Sequence, residues 1–151
     1  MNVISNSSPL IALSCLDQLT ILEHMFKSVV IPDAVYRETV TLNRYEPQRT
    51  RIQVASETFI KVFKPNVHHL FTRNLGDGEK GVLNLGIEQQ PDIVLLDDKK
   101  ARNEAIALSL TPVFTTDVLK RAVKIGLLAS YQDVTRELIL HEIYLPESHS
   151  L

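Results

Sequence analysis

The feature that most constrains the fold is the run Asp92-Ile93-Val94-Leu95-Leu96-Asp97-Asp98, an apolar stretch that stops at two adjacent carboxylates and gives way to the helical pattern of Lys99-Lys100-Ala101-Arg102. Apolar residues at successive rather than alternating positions describe a strand covered on both faces, as in a parallel sheet. In open α/β sheets ligands bind outside the carboxyl ends of the strands, which is where Asp97 and Asp98 fall. An acid in that place also serves as the N-cap of the next helix. The two explanations separate only if further acids reach the same edge.

The rest of the chain alternates strands and helices. Asn2 to Asn6 reads as a first short strand, and Ser7-Ser8-Pro9 as a helix start with proline in the first turn. Leu10 to Leu16 continues that helix, with Asp17 expected to cap a second one through Phe26. Ser28 to Ile31 is a strand ended by Pro32, and Ala34 to Val40 a helix carrying Glu38. Leu42 to Ser56 shows little periodicity and fits helix or loop. Thr58 to Phe63 alternates and suits an edge strand. Gly76-Asp77-Gly78-Glu79 opens a helix in which Gly81 and Gly86 imply close packing on the sheet, since each costs about 1 kcal/mol against alanine. Lys100 to Leu110 is helical, Pro112 to Thr115 a short strand, Thr116-Asp117 a cap for the following helix, and Ser130 a cap for the last. The alternation predicts an α/β fold, a three-layer α/β/α sandwich with a mostly parallel central sheet, in one domain over 1–145 with a polar tail at 146–151.

Composition adds limits. A length of 151 residues with 44% hydrophobic content fits a single core. The net charge of −2 gives no global case for binding nucleic acid, so a polyanion must be held by local basic patches or by metal ions. The lone Cys15 excludes an internal disulfide and suits a reducing compartment. No apolar run approaches the roughly 18 residues of a membrane span, and no basic region precedes the first apolar residues, so a cytoplasmic protein is expected. His68 and His69 are neighbours that point apart on regular structure, and they receive no metal role.

Asn6, Asp97 or Asp98, and Asp117 follow predicted strands or open the next helix, while Glu38 and Glu79 sit on helices that can lean over the same edge. Glu79 also has an ordinary explanation, since the helix dipole favours an acid in the first turn. Carboxylates that converge without Lys or Arg partners call for a divalent cation. An all-oxygen set points to Mg²⁺ or Mn²⁺.

Four motifs in order, Val3-Ile4-Ser5-Asn6-Ser7-Ser8-Pro9, Val30-Ile31-Pro32 with Tyr36-Arg37-Glu38, Gly76-Asp77-Gly78-Glu79, and Leu95-Leu96-Asp97-Asp98-Lys99-Lys100-Ala101-Arg102, resemble the PIN-domain nucleases, in particular the VapC-like branch of short prokaryotic proteins. The resemblance covers nearly the whole chain. It implies a parallel α/β/α sandwich and Mg²⁺- or Mn²⁺-dependent hydrolysis of RNA phosphodiesters, often by a toxin that a partner antitoxin neutralises. Carried onto this chain, it puts the catalytic set at Asn6, Glu38, Glu79 and Asp98, with Asp97 a rival for the last place and Asp117 a further metal candidate. Ser7 falls beside the first acid. The departure is Asn6, where the family has an aspartate, so one negative charge is missing.

The mechanism expected on that footing is metal-assisted hydrolysis with no side-chain nucleophile. Lys99, Lys100, Arg102, Lys120 and Arg121 flank the acid-bearing ends and, with Ser7, are the candidates for holding RNA. A homodimer is expected from the resemblance and from the apolar helices between Leu10 and Phe26. The competing reading is a PIN-like module whose metal site has decayed and which acts by binding RNA or a protein partner. A phosphoacceptor receiver domain is more distant, because it wants an acid pair where the first strand here ends in Asn6.

Overall fold

The computed structural model describes residues 1–147, so residues 148–151 of the expected tail lie outside the described residues. Strand β1, Val3–Ser5, is buried along its whole length, as a strand between two helical layers must be. It pairs in parallel with β2, Val29–Pro32, on one side and β4, Ile93–Leu95, on the other. Outside these lie β3, Ile60–Phe63, and β5, Pro112–Val113, which complete an all-parallel sheet in the order β3-β2-β1-β4-β5. The chain runs outward from β1 to β3, then returns to place β4 against the far side of β1. The junction of β1 and β4 is therefore the point where strand order reverses, the usual crevice of an open α/β sheet.

With the right-handed crossovers that parallel strands follow, the outward run from β1 to β3 and the return through β4 to β5 carry their helices on opposite faces. One layer holds α1, Ser7–Cys15, α2, Thr20–Phe26, and α4, Glu46–Ala55, joined after β5 by α7, Thr115–Lys124, which meets α1. The other holds α5, Asp77–Gln89, and α6, Lys99–Ala107, packed on each other. A short α3, Asp33–Tyr36, leads from β2 directly into a π turn at Arg37–Thr41, and α8, Tyr131–Leu140, closes the chain against α7. The core between the layers is aliphatic, with Ile4, Leu10, Leu13, Ile31, Leu83, Leu85 and Leu95 among its fully buried side chains. Among the described residues no helix is long and apolar enough to cross a membrane.

Several local expectations meet corrections. The stretch open between helix and loop contains α4, which buries only Ile52 and Ala55 and so carries almost no apolar stripe. Asp17 caps nothing. It sits in the left-handed region at φ 56° and pairs with Arg51 at 3.2 Å, while α2 begins after Leu19. Thr116 and Asp117 lie inside α7, whose N-cap position is Phe114, yet Asp117 does close that end, accepting from the Phe114 amide at 3.1 Å. Ser130 does cap α8, accepting from the Asp133 amide at 3.2 Å. Gly81 packs on the end of β2, where an added Cβ would stand 2.7 Å from Pro32, whereas Gly86 faces Leu110 beyond α6 rather than the sheet. The first residues of the expected tail are docked: Thr116 donates to the Pro146 carbonyl at 3.2 Å, and Glu147 meets Lys120 and Tyr131.

Candidate functional site

Asn6 extends the ladder of β1, its amide donating to the Leu95 carbonyl at 3.0 Å. Its backbone is extended and holds the N-cap position of α1, yet its side chain caps no amide. Instead Oδ1 is buried and has no hydrogen-bond partner among the described residues. Capping therefore does not account for Asn6, and a buried acceptor without a donor costs about 1–3 kcal/mol.

Glu38 arrives from the β2 side on the π turn, where Leu42 N–H reaches back five residues to Arg37 O. Such widened turns are frequent at functional sites because they re-aim a side chain off the regular helical spiral. The Glu38 carboxylate is held twice: Ser7 Oγ donates to Oε2 at 2.6 Å and Gly78 N–H donates to Oε1 at 3.1 Å. A Cβ on Gly78 would lie 2.8 Å from both Glu38 oxygens and 3.0 Å from Asn6 Oδ1. Three oxygens from β1 and the π turn thus surround one point over the start of α5.

Glu79 stands in the first turn of α5 and accepts from the Gly76 amide at 2.8 Å. Burial pushes its carboxyl above the ordinary range, and Asp98 and Glu38 push the same way, against the lowering effect of the Gly76 amide. Asp98 is the N-cap of α6, accepting from Ala101 N–H at 3.0 Å, and it stands close enough to Glu79 for its carboxylate to raise the Glu79 pKa. Asp98 is thus both a helix cap and a member of the acid group. Among the described residues none of Glu38, Glu79 and Asp98 forms an ion pair.

Asp97 and Asp117 go elsewhere. Asp97 accepts from Thr115 N–H and Thr115 Oγ, both at 2.8 Å, and Asp117 accepts from the Phe114 amide at 3.1 Å. Of the two adjacent acids it is Asp98 that reaches Glu79. Among the basic candidates Lys99 and Lys100 are exposed on α6 beside Asp98. Arg102 is turned inward, donating to Leu96 O at 3.2 Å and lying 3.5 Å over the Phe114 ring. Lys120 pairs with Glu147 at 3.0 Å, and Arg121 borders a groove with Met1 and Ile93, toward the amino-terminal side of the sheet. The Ser7 hydroxyl is committed to Glu38. Gly78 and Thr115 receive no role of their own from the sequence; a glycine immediately before the helical acid, and a hydroxyl at the first position of the helix after the last strand, were the available signals.

Among the described residues no group of three or more His, Cys, Asp or Glu side chains stands ready-made to hold a metal ion. The donors gather in two parts, an amide oxygen with Glu38 and a second pair of Glu79 with Asp98. The partnerless Asn6 oxygen and the cradle over Gly78 fit an oxygen-ligated divalent cation, with each carboxylate keeping one oxygen on a backbone amide.

A family model described as PIN domain matches residues 2–150. The chain belongs to the PIN-domain family. Among solved structures this PIN domain is similar to a PilT N-terminus domain protein from the hyperthermophilic archaeon Sulfolobus solfataricus P2, with a TM-score of 0.56 and 14% identity over 82% of this chain and 94% of that one. At that identity the likeness speaks for the shared fold alone. No curated protein matches the sequence. PIN domains are in general nuclease folds, which agrees with a group of acids at the carboxyl edge of the sheet.

Proposed function

We propose that this PIN domain is a Mg²⁺- or Mn²⁺-dependent ribonuclease of the VapC-like branch, with Asn6, Glu38, Glu79 and Asp98 as its metal and catalytic group. The observation that carries the reading is the buried Asn6 oxygen, which has no hydrogen-bond partner among the described residues and faces the same point as the Glu38 carboxylate, with Glu79 and Asp98 as a second pair of acids whose charges raise one another's cost. Repulsion in such a group persists unless a cation joins it. Bound there, a divalent ion supplies activation of water and charge neutralisation at the attacked phosphate. The chain's own residues prepare the place. Ser7 and the Gly78 amide fix the orientation of Glu38, and the Gly76 and Ala101 amides fix Glu79 and Asp98. Ser7 is in this view an orienting residue rather than an RNA contact. Lys99 and Lys100, exposed next to Asp98, hold the RNA backbone.

The wider role proposed is that of a cytoplasmic toxin restrained by an antitoxin protein, acting as a homodimer that lines up two acidic sites. One observation favours a second reading, a PIN-like module that binds RNA or a partner without cutting: Asn6 brings no charge to the site. The test is cleavage of RNA with Mn²⁺ present and absent, run with wild type and Glu79→Ala, alongside calorimetric titration with Mn²⁺. Mn²⁺-dependent cleavage abolished by Glu79→Ala supports the nuclease. Cleavage that is metal-independent and survives the substitution overturns it, and Mn²⁺ binding weaker than millimolar favours the module.

A further inference from the structure

The carboxyl edge of the sheet carries a second pair of acids, Asp97 and Asp117, at the corner between β4 and α7, and a cation already stands there. Arg102 leaves α6 to donate to Leu96 O, the carbonyl just before Asp97, and its guanidinium lies over the ring of Phe114, whose amide donates to Asp117 and whose neighbour Thr115 donates twice to Asp97. All three charged groups are thus fastened to two short stretches, Leu96-Asp97 and Phe114-Thr115. Arg102 joins none of the direct ion pairs among the described residues; burial lowers its pKa, Asp117 and then Asp97 offset part of that, and Arg102 in turn offsets part of the burial that raises the Asp97 carboxyl. The other cation at hand, Lys120, is taken up by Glu147 and the Tyr131 ring. Among the described residues Glu38, Glu79 and Asp98, in contrast, have no such partner.

We propose that Arg102 is the resident cation of the β4–α7 corner, balancing Asp97 and Asp117 so that this corner takes no metal ion. A divalent ion then goes only to the corner of Asn6, Glu38, Glu79 and Asp98, a consequence that rests on the nuclease reading, while the charge balance itself does not. Guanidinium, being planar and always charged, is suited to this because it stacks and donates at once. Arg102 in this role is a positioning residue: it holds the loop that presents Asp98 without touching substrate.

The experiment is a double-mutant cycle on the full chain, Arg102→Met with Asp117→Asn, read by urea denaturation in EDTA and by Mn²⁺ titration. Asparagine keeps the acceptor for the Phe114 amide, so only the charge changes. Arg102→Met should lower the denaturation midpoint, Asp117→Asn should restore part of the loss, and Mn²⁺ stoichiometry should rise from one per chain in wild type to more than one in Arg102→Met. Arg102→Lys, which keeps the charge and loses the stack, should remain at one. Strict additivity of the two substitutions, two Mn²⁺ per wild-type chain, or an unchanged stoichiometry in Arg102→Met overturns the proposal. If wild type binds no Mn²⁺, the nuclease reading fails and the coupling in EDTA alone decides the role of Arg102. Should Arg102→Met not fold, Arg102→Gln replaces it in the same cycle.

Discussion

The backbone amide of Gly78 donates to the carboxylate of Glu38 across 40 positions of sequence, at 3.1 Å, in the space that any other residue's Cβ would occupy. The glycine is what lets the start of α5 approach the π turn closely enough to fix an acid there. In an ordinary helix, replacing glycine by alanine gains about 1 kcal/mol. Here the added Cβ would stand 2.8 Å from both Glu38 oxygens. Gly78→Ala should therefore show no gain in thermal stability and should lower Mn²⁺ affinity by about 10- to 100-fold, the usual cost of losing a group that orients a ligand. Calorimetric titration and a thermal melt in EDTA check both halves.

Glu79 makes the stability of the metal-free protein depend on pH in a defined direction. Burial, Asp98 and Glu38 raise its carboxyl above 4.5, so the folded chain holds this proton more tightly than the unfolded chain does. Stability from that proton is complete below the unfolded value and is lost as pH rises through the folded one. Melts of wild type and Glu79→Gln in EDTA should diverge upward from about pH 4.5, the variant being favoured at higher pH. Mn²⁺ competes for the same carboxylate, so wild-type affinity should climb over that range and that of Glu79→Gln should stay flatter. A difference between the two melts that does not change with pH removes the assignment.

How much of this was legible follows from where each signal lives. The buried strands announced themselves, because residues 93–96 and 3–4 are apolar at successive positions, and the Ser-Ser-Pro after Asn6 marked where α1 begins. Carboxyl ends of strands follow from strands, so the edge carrying the acids was readable too. Which way Asp97 and Asp98 point was not, because Thr115 engages both oxygens of Asp97 from 18 positions away. Nor was the π turn at Glu38, since an i to i+5 bond leaves no periodic trace over five residues. Arg102 reads as one more basic residue on a helix, and only the position of Phe114 turns it inward.

The long connection between β3 and α5 gives a stability prediction remote from the site. Glu104, buried on α6, pairs with Arg73 at 3.3 Å and accepts from Thr72 Oγ at 3.0 Å, while Asn84 accepts from the His69 amide at 3.0 Å and Glu88 accepts from the amides of Asn66 and Val67. Acceptors on α5 and α6 thus hold down a segment with no regular structure of its own, just ahead of Gly76. Glu104→Ala should cost about 2 kcal/mol by chemical denaturation, the scale for hydrogen bonds to a charged group. It should also speed protease cleavage near Arg73. Unchanged cleavage there would mean the segment is held without Glu104.

The substitution most informative about the site is Asn6→Asp. Asn6 Oδ1 is buried without a donor among the described residues, 3.0 Å from the point that the Glu38 oxygens also surround, so the residue contributes an acceptor and no charge. Aspartate would restore the fourth carboxylate of the family pattern in a shape that fits unchanged. Without metal, the new charge is buried beside Glu38 and its pKa must rise, which destabilises the fold as pH climbs above about 3.9, by roughly 1–2 kcal/mol near neutrality. With Mn²⁺ that cost becomes affinity, since each added charged ligand strengthens a hard-cation site. Melts in EDTA should therefore shift down and melts in Mn²⁺ should recover, while RNA cleavage at limiting Mn²⁺ rises. A capping role for Asn6 predicts none of these changes, because aspartate caps a helix as well as asparagine does. If Asn6→Asp changes neither Mn²⁺ affinity nor the metal dependence of the melt, the metal group does not include residue 6.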